Sequence, residues 1–352
     1  MSASFNNTLY SLQQEVSFYL YSIFLVSGII GSCLNVILFS RPQFRTVSCC
    51  ICKLFMISSQ IMTNDIFSTP YVDLKVASIT MLITLIIAAG HAIYAFHNSD
   101  PLITILAFCK LRYYIIQSTS MMYRWNLSAA CFDRYALSSA KARLRNFSTV
   151  HIARRISISI VCLWIVLPIH TLIFHTIKSG LCGPFYSSAT ALYHSIFTTI
   201  NGCIIPILLM TIFILLTYRN LLLKQKRLKL TRQQNAHDTN KIEHNYRARD
   251  HQVLIILLIQ VILYILGTTP LMFWLFYNAI TFNVTNKSID RLAIERFIGV
   301  MIEFLVNAYP VLACYIYTTA SHTFRNELIH IFRFVISCRF WNICNRIVPI
   351  NE

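Results

Sequence analysis

Long apolar runs alternate with short polar stretches along this chain. The first uncharged run covers residues 16–40 and closes at Arg41 and Arg45. A second lies between Lys75 and Asp100, and a third, over 102–132, carries Lys110 and Arg112 near one end and Arg124 inside. Four more follow, before the chain turns polar again near residue 320. A run of about 18 or more residues with few charges reaches across the roughly 30 Å hydrocarbon core as a helix. The pattern predicts an all-α membrane protein, a seven-transmembrane-helix bundle with spans at about 17–40, 76–97, 102–135, 156–177, 192–218, 252–281 and 297–319.

Composition fits that solvent. Hydrophobic residues make up 56% of the chain and charged ones 12%, about half the charged share of a soluble domain. The net charge of +17 would suggest nucleic acid in a soluble protein. Here Lys and Arg sit between apolar runs, so the positive-inside rule accounts for them and no nucleic-acid partner is expected. Residues 141–155 hold five Lys/Arg and residues 219–249 hold nine, while the alternate loops are poor in them. Those two loops are assigned to the cytoplasm, residues 1–16 to the outside, and the chain to the plasma membrane as a multi-pass protein. No cleavable signal peptide is expected, because residues 1–15 are polar and the first span serves for targeting. The sequons at Asn6, Asn283 and Asn286 then face the side where glycosylation occurs, unlike those at Asn126 and Asn146.

Residues 52–73 are apolar, yet Lys53 and Asp65 leave only 11 uncharged residues between them, too few for a span. Residues 53–75 are read as an interfacial or irregular insert in the first inside loop. Beyond the seventh span, Phe324, Leu328, Ile331 and Phe332 recur at helical spacing among charges. Residues 321–352 are therefore expected to form a cytoplasmic amphipathic helix and tail on the lipid surface. Cys338 and Cys344 follow, either palmitoylated or as ordinary reduced cysteines. The 12 cysteines show no zinc or redox spacing. With no metal-ligand cluster, nucleophile–base pair or phosphate-binding glycine loop, neither metal, cofactor nor enzymatic activity is expected.

The motifs narrow the class. Asp133-Arg134-Tyr135 stands at the cytoplasmic end of the third span and Cys109 at its outer end. Their separation of 25 residues makes roughly 37 Å of helix, which places them at opposite membrane faces. This third span resembles that of the rhodopsin-like (class A) G-protein-coupled receptors. Asn35, Trp164, Pro206, Pro270 and Tyr317 match that family in the first, fourth, fifth, sixth and seventh spans, and the resemblance covers roughly residues 17–335. It implies a ligand-biased two-state bundle. In it Asp133 restrains Arg134 while the receptor is silent, and Asp133, Arg134, Tyr135 and Tyr317 form the switch toward a heterotrimeric G protein. It also implies a Cys109–Cys182 disulfide.

Departures from the family are equally informative. The sixth span reads Tyr264-Ile-Leu-Gly-Thr-Thr-Pro270, without the usual Cys-Trp before proline. The seventh reads Ala313-Cys-Tyr-Ile-Tyr317 in place of Asn-Pro-x-x-Tyr, and Met81 stands where a sodium-binding aspartate is usual. Cys-Lys-Leu-Arg-Tyr-Tyr at 109–114, Asp-Arg-Tyr-x-x-Ser-Ser at 133–139 and Phe-Arg-x-Glu-Leu at 324–328 resemble a divergent invertebrate branch, peptide-receptor-like or chemosensory. Against that branch residues 53–75 look extra, as a lineage insertion or a retained intron; Cys52-Lys53 is encodable by TGTAAG, which contains a splice-donor sequence.

Ile116 occupies the position of the amine-anchoring aspartate, and no lysine stands in the outer part of the seventh span. Amine ligands and a retinal Schiff base are thereby disfavoured. The outer half offers Arg112, Tyr113, Gln117, His170, His175, His194, Trp274, Tyr277, Glu303 and Asn307, a mixture suited to an extracellular peptide or small organic ligand. Glu303 either pairs with Arg124 or contacts the ligand, since an acid inside a span seldom lacks a partner or a task. The rival class is a seven-helix channel or transporter without G-protein coupling. That class would call for charged or broken helices at mid-membrane or an internal repeat, and the chain shows no such repeat.

Overall fold

The computed structural model describes residues 2–40, 69–178, 181–184, 186–232, 240–282, 284 and 287–320, with Arg325, Ile329 and Arg333 beyond them. The elements are α1 (Ser2–Ser40), α2 (Thr69–His97), α3 (Pro101–Thr104), α4 (Leu106–Ser138), α5 (Ala142–Arg145), α6 (Val150–Val166) and α7 (Ile169–Phe174). A hairpin of β1 (Thr176–Lys178) and β2 (Leu181–Gly183) comes next. The chain continues through α8 (Ser188–Thr199), a π-helical turn (Ile200–Ile204), α9 (Ile205–Arg232), α10 (Asn240–Ile280) and α11 (Ile289–Ala320).

Five segments are long and apolar enough to cross a membrane: Ser11–Asn35, Asp73–His97, His151–Phe174, Ser188–Lys224 and Leu258–Ile280. α4 and α11 are of similar length but carry charges, among them Arg112, Arg124, Asp133 and Glu303. The exposed apolar side chains run in stripes. On α1 they are Tyr19, Ile23, Val26 and Ile30; on α9, Leu208, Ile212, Leu215 and Leu222. Spacings of three, four and seven place each set on one helix face, and so much exposed apolar surface suits lipid rather than water. α4 is enclosed instead, packing against α2, α6 and α9, while α11 closes the bundle against α1 and α10. The inner core gathers Met81, Tyr123, Leu127, Met210, Val261, Tyr264 and Tyr309 from five helices.

Several boundaries differ from expectation. α1 begins at Ser2 because residues 2–15 contain neither Pro nor Gly to stop a helix. Residues 53–68 of the expected insert lie outside the described residues, but 69–75 form the start of α2 rather than irregular chain. Pro70 is tolerated there because the first helical N–H groups have no intrahelical partner, and Asp73 is buried, accepting a hydrogen bond from Ser157 of α6. The fourth apolar run starts at Val150, breaks at Pro168, which has no N–H to continue the ladder, and ends at Phe174; Thr176 and Ile177 belong to the hairpin. α10 starts at Asn240 and α11 at Ile289, ahead of their expected spans.

Candidate functional site

Both ends of α4 are anchored. At the N-terminal end Cys109, fully buried, is disulfide-bonded to Cys182 across a Cα–Cα distance of 6.0 Å, within the usual range for such bridges. Cys182 pairs with Ile177 in the hairpin register, so the bridge ties the hairpin to α4. The chain leading into α4 is held as well. Asp100 caps α3 through the Leu102 amide at 2.8 Å and lies 2.7 Å from His91 Nε2 on α2.

At the other end Asp133 is buried and accepts a hydrogen bond from Ser148, in the chain between α5 and α6. The expected restraint of Arg134 by Asp133 is therefore not what is seen. Among the described residues Arg134 forms no ion pair, and its Nε has no hydrogen-bond partner. Adjacent residues on a helix point about 100° apart, so Asp133 turns toward α6 while its neighbour does not. Tyr135 stacks on Phe213 of α9 at 5.9 Å, and Asn220 donates to Ser138 at 3.1 Å. The side chain of Tyr317 lies outside the described residues, as do Asn283, Asn286, Cys338 and Cys344; Asn6 has a helical backbone within α1.

Between the two ends lies a polar junction. Pro206 has no N–H, so the Gly202 carbonyl one turn earlier lacks its helical donor. The π turn sends the Ile205 N–H to Ile200, which frees the Asn201 carbonyl also. Side chains of other helices take both. Arg124 Nη1 donates to Gly202 at 3.2 Å, Tyr264 of α10 donates to the same oxygen, and Trp125 donates to Asn201 at 3.0 Å. Arg124 is 3% exposed and lies over the rings of Tyr123 and Tyr264 at 5.5 and 5.9 Å. Trp164 packs on Trp125 at 5.6 Å, Asn35 is buried in α1, and Pro270 lies within α10.

The residues expected to form one ligand pocket divide into two sets: Tyr113 packs on His175 with ring centroids 4.8 Å apart, which joins the Arg112 side chains to the His194 side chains, while Trp274 and Tyr277 stand apart. Arg112, buried and 5.6 Å from the Tyr113 ring centre, lies with Glu303 within electrostatic reach of Tyr21 and Tyr113. Glu303 accepts from Tyr21 at 3.2 Å, so its pairing with Arg124 is not found. Gln117 donates to Thr198 of α8 at 3.0 Å, and His194 sits with His170 and His175 nearby.

Trp274 and Tyr277, stacked at 5.7 Å, face a separate groove of about 730 Å³ between α10 and α11. Its walls are Phe273, Ile294, Ile298 and Ile302, with Asp290, Arg291 and Glu295 at its polar end. Gly299 lets the indole approach, since a Cβ there would meet the Trp274 ring at 3.0 Å. At the polar end Glu295 accepts from Lys287 at 2.7 Å, from Arg291 at 2.8 Å and from Tyr277 at 2.6 Å.

Burial raises the Glu295 pKa, but the hydrogen bonds from Lys287, Tyr277 and Arg291 outweigh it and hold the carboxyl below its ordinary range. A depressed folded-state pKa contributes stability above the unfolded value, about 4.3 for Glu, and that contribution fades as pH falls through the folded value. Glu295→Gln is therefore expected to melt below the wild type at pH 7, with the gap narrowing as the pH is lowered below about 4, the unfolded value. A gap unchanged with pH would remove this assignment.

Neither the π turn and Gly202 nor the Lys287–Arg291–Glu295 cluster stands out from the sequence. Gly202 four residues before Pro206 and Arg291 four residues before Glu295 are the signals the chain offers for them. No protein-family model matches the chain, and none of the curated proteins matches it.

Proposed function

We propose that this chain is a seven-span receptor of the rhodopsin-like type, oriented with its N-terminus outside the plasma membrane, which binds an extracellular ligand and activates a heterotrimeric G protein. The observation that carries the reading is α4 itself. One helix of 33 residues is bonded at Cys109 to a hairpin on one side and presents buried Asp133 with Arg134 and Tyr135 on the other. The charges that keep α4 from reading as a lipid-facing span suit an enclosed helix. Arg112, Arg124 and Asp133 are all buried against neighbouring helices, where intramembrane charges belong.

The ligand is a peptide or a small organic molecule. The groove of about 730 Å³ beside Trp274 and Tyr277 falls within the ordinary range for such sites, roughly 300–1,000 Å³. Its apolar walls and polar end would orient a ligand by one end.

Ligand-screened G-protein activation in cells tests the proposal. Arg134→Ala is expected to reach the surface at the wild-type level and to lose the ligand-driven response, because Arg134 is the residue assigned to the G protein and forms no ion pair among the described residues. A surface-expressed protein that carries current or substrate flux, with no G-protein response, would replace the receptor reading with the channel or transporter class.

A further inference from the structure

The groove between α10 and α11 is a straight slot with an apolar mouth. Pro270, Trp274 and Tyr277 line it from one face of α10, and Arg291, Ile294, Ile298 and Ile302 from one face of α11, both at helical spacing. From Arg291 to Ile302 the slot runs roughly 16 Å along α11 at about 1.5 Å per residue. Phe273, Ile294 and Ile298 line the slot and are also exposed, as are Ile280 and Ile289 where the two helices end and begin. A mouth edged by exposed apolar side chains admits a molecule already dissolved in a bilayer.

The polar end has spent its acceptors and kept donors. Glu295 Oε1 accepts from Arg291 Nε and from Tyr277, and Oε2 accepts from Lys287. The Tyr277 hydroxyl in turn accepts from Arg291 Nη2 at 2.9 Å. Arg291 Nη1 has no partner among the described residues, and the Arg291 side chain is 42% exposed. A guanidinium and an ammonium have donors only, so a group entering at this end must bring acceptors. Lys287, Arg291 and Glu295 together carry one positive charge, which a single carboxylate balances. Asp290 also lines the groove, in the first turn of α11, where the positive end of the helix favours its charge.

We propose that this groove holds a single-chain lipid with a carboxylate head, the head on Arg291 and Lys287 and the chain beside Trp274, Phe273, Ile294 and Ile298. The inference rests on reading the groove as the ligand site, and it narrows the ligand from any peptide or small organic molecule to a long-chain acid. A peptide would bring backbone N–H groups that the apolar walls leave without acceptors. An acyl chain brings none.

Quenching of tryptophan fluorescence by nitroxide-labelled stearate tests the site, with the purified full chain in phosphatidylcholine nanodiscs. Quenching is expected to saturate, to be reversed by unlabelled oleate, and to lose its saturable part in Trp274→Phe. Methyl oleate, which keeps the chain and loses the charge, should compete at least about tenfold more weakly, as should oleate on Arg291→Gln, since each removes a charge-assisted bond. Quenching that rises without saturation overturns the proposal, as does equal competition by methyl oleate or by stearylamine. Equal competition by phosphatidylglycerol overturns it too, and would mean that a bilayer phospholipid fills the groove. Wild-type affinity in a folded Arg291→Gln has the same consequence; if that variant does not fold, the comparison of oleate with methyl oleate on the wild type decides. The receptor reading fails separately: a chain that binds the acid saturably and activates no G protein keeps the site and loses the receptor.

Discussion

Cys109→Ser or Cys182→Ser is expected to lower the stability of the purified protein and, for the receptor proposed above, to abolish the ligand response. The bridge joins residues 73 apart in sequence, for which the chain-entropy estimate is about 4 kcal/mol. Inserted helices already restrict the unfolded chain, so the thermal effect falls below that figure. The functional effect follows from geometry. Without the bridge, the hairpin that begins one residue beyond His175 loses its covalent tie to the N-terminal end of α4. Serine replacement of the buried Cys131, which is free, provides the contrast, since it removes no cross-link. Thermal unfolding with and without reductant measures both. Equal melting of Cys109→Ser and wild type in the absence of reductant would show that the bridge contributes nothing.

Gly202→Val should strongly destabilise the interior. A Cβ at Gly202 would stand 2.6 Å from Arg124 Nη1 and 2.8 Å from the Met121 methyl. The methionine end yields easily. Arg124 does not, because moving its guanidinium gives up the Gly202 hydrogen bond and leaves a buried cation with no carboxylate beside it among the described residues. Stranding a charge at that depth costs about 3 kcal/mol, and valine adds overpacking of about 1–3 kcal/mol. The steric conflict belongs to the pair, so Arg124→Met in the Gly202→Val background should recover much of the loss. Thermal unfolding of the two single variants and the double forms a cycle, and strict additivity would mean the clash is not the cause. The single Arg124→Met variant should change stability little: it forfeits one carbonyl bond but avoids burying a charge, and Tyr264 still donates to Gly202.

Much of the architecture was legible in the sequence. The apolar runs over 16–40, 76–97, 192–218 and 252–281 mark α1, α2, α8–α9 and α10, because lipid demands the same apolar stretch whatever its neighbours are. The Cys109–Cys182 bond was implied by family resemblance and is present. The helical ends were not legible in the same way. Residues 69–75 hold Asp73 and Lys75, which interrupt the apolar pattern and read as part of an interfacial or irregular insert until Ser157 of α6 is seen to satisfy the carboxylate.

What the sequence by itself determined is that this chain is built of long apolar helices suited to a membrane, which follows from local composition and the thickness of a bilayer. The tertiary structure decided the partners of its polar groups. Asp133 could have held Arg134 and is held by Ser148; Glu303 could have met Arg124 and meets Tyr21; Arg124 binds a carbonyl that Pro206 left without a donor. Hydrophobic burial is set by each segment against a uniform solvent, whereas a hydrogen bond needs two atoms within about 3 Å, and only the packing of distant helices supplies that.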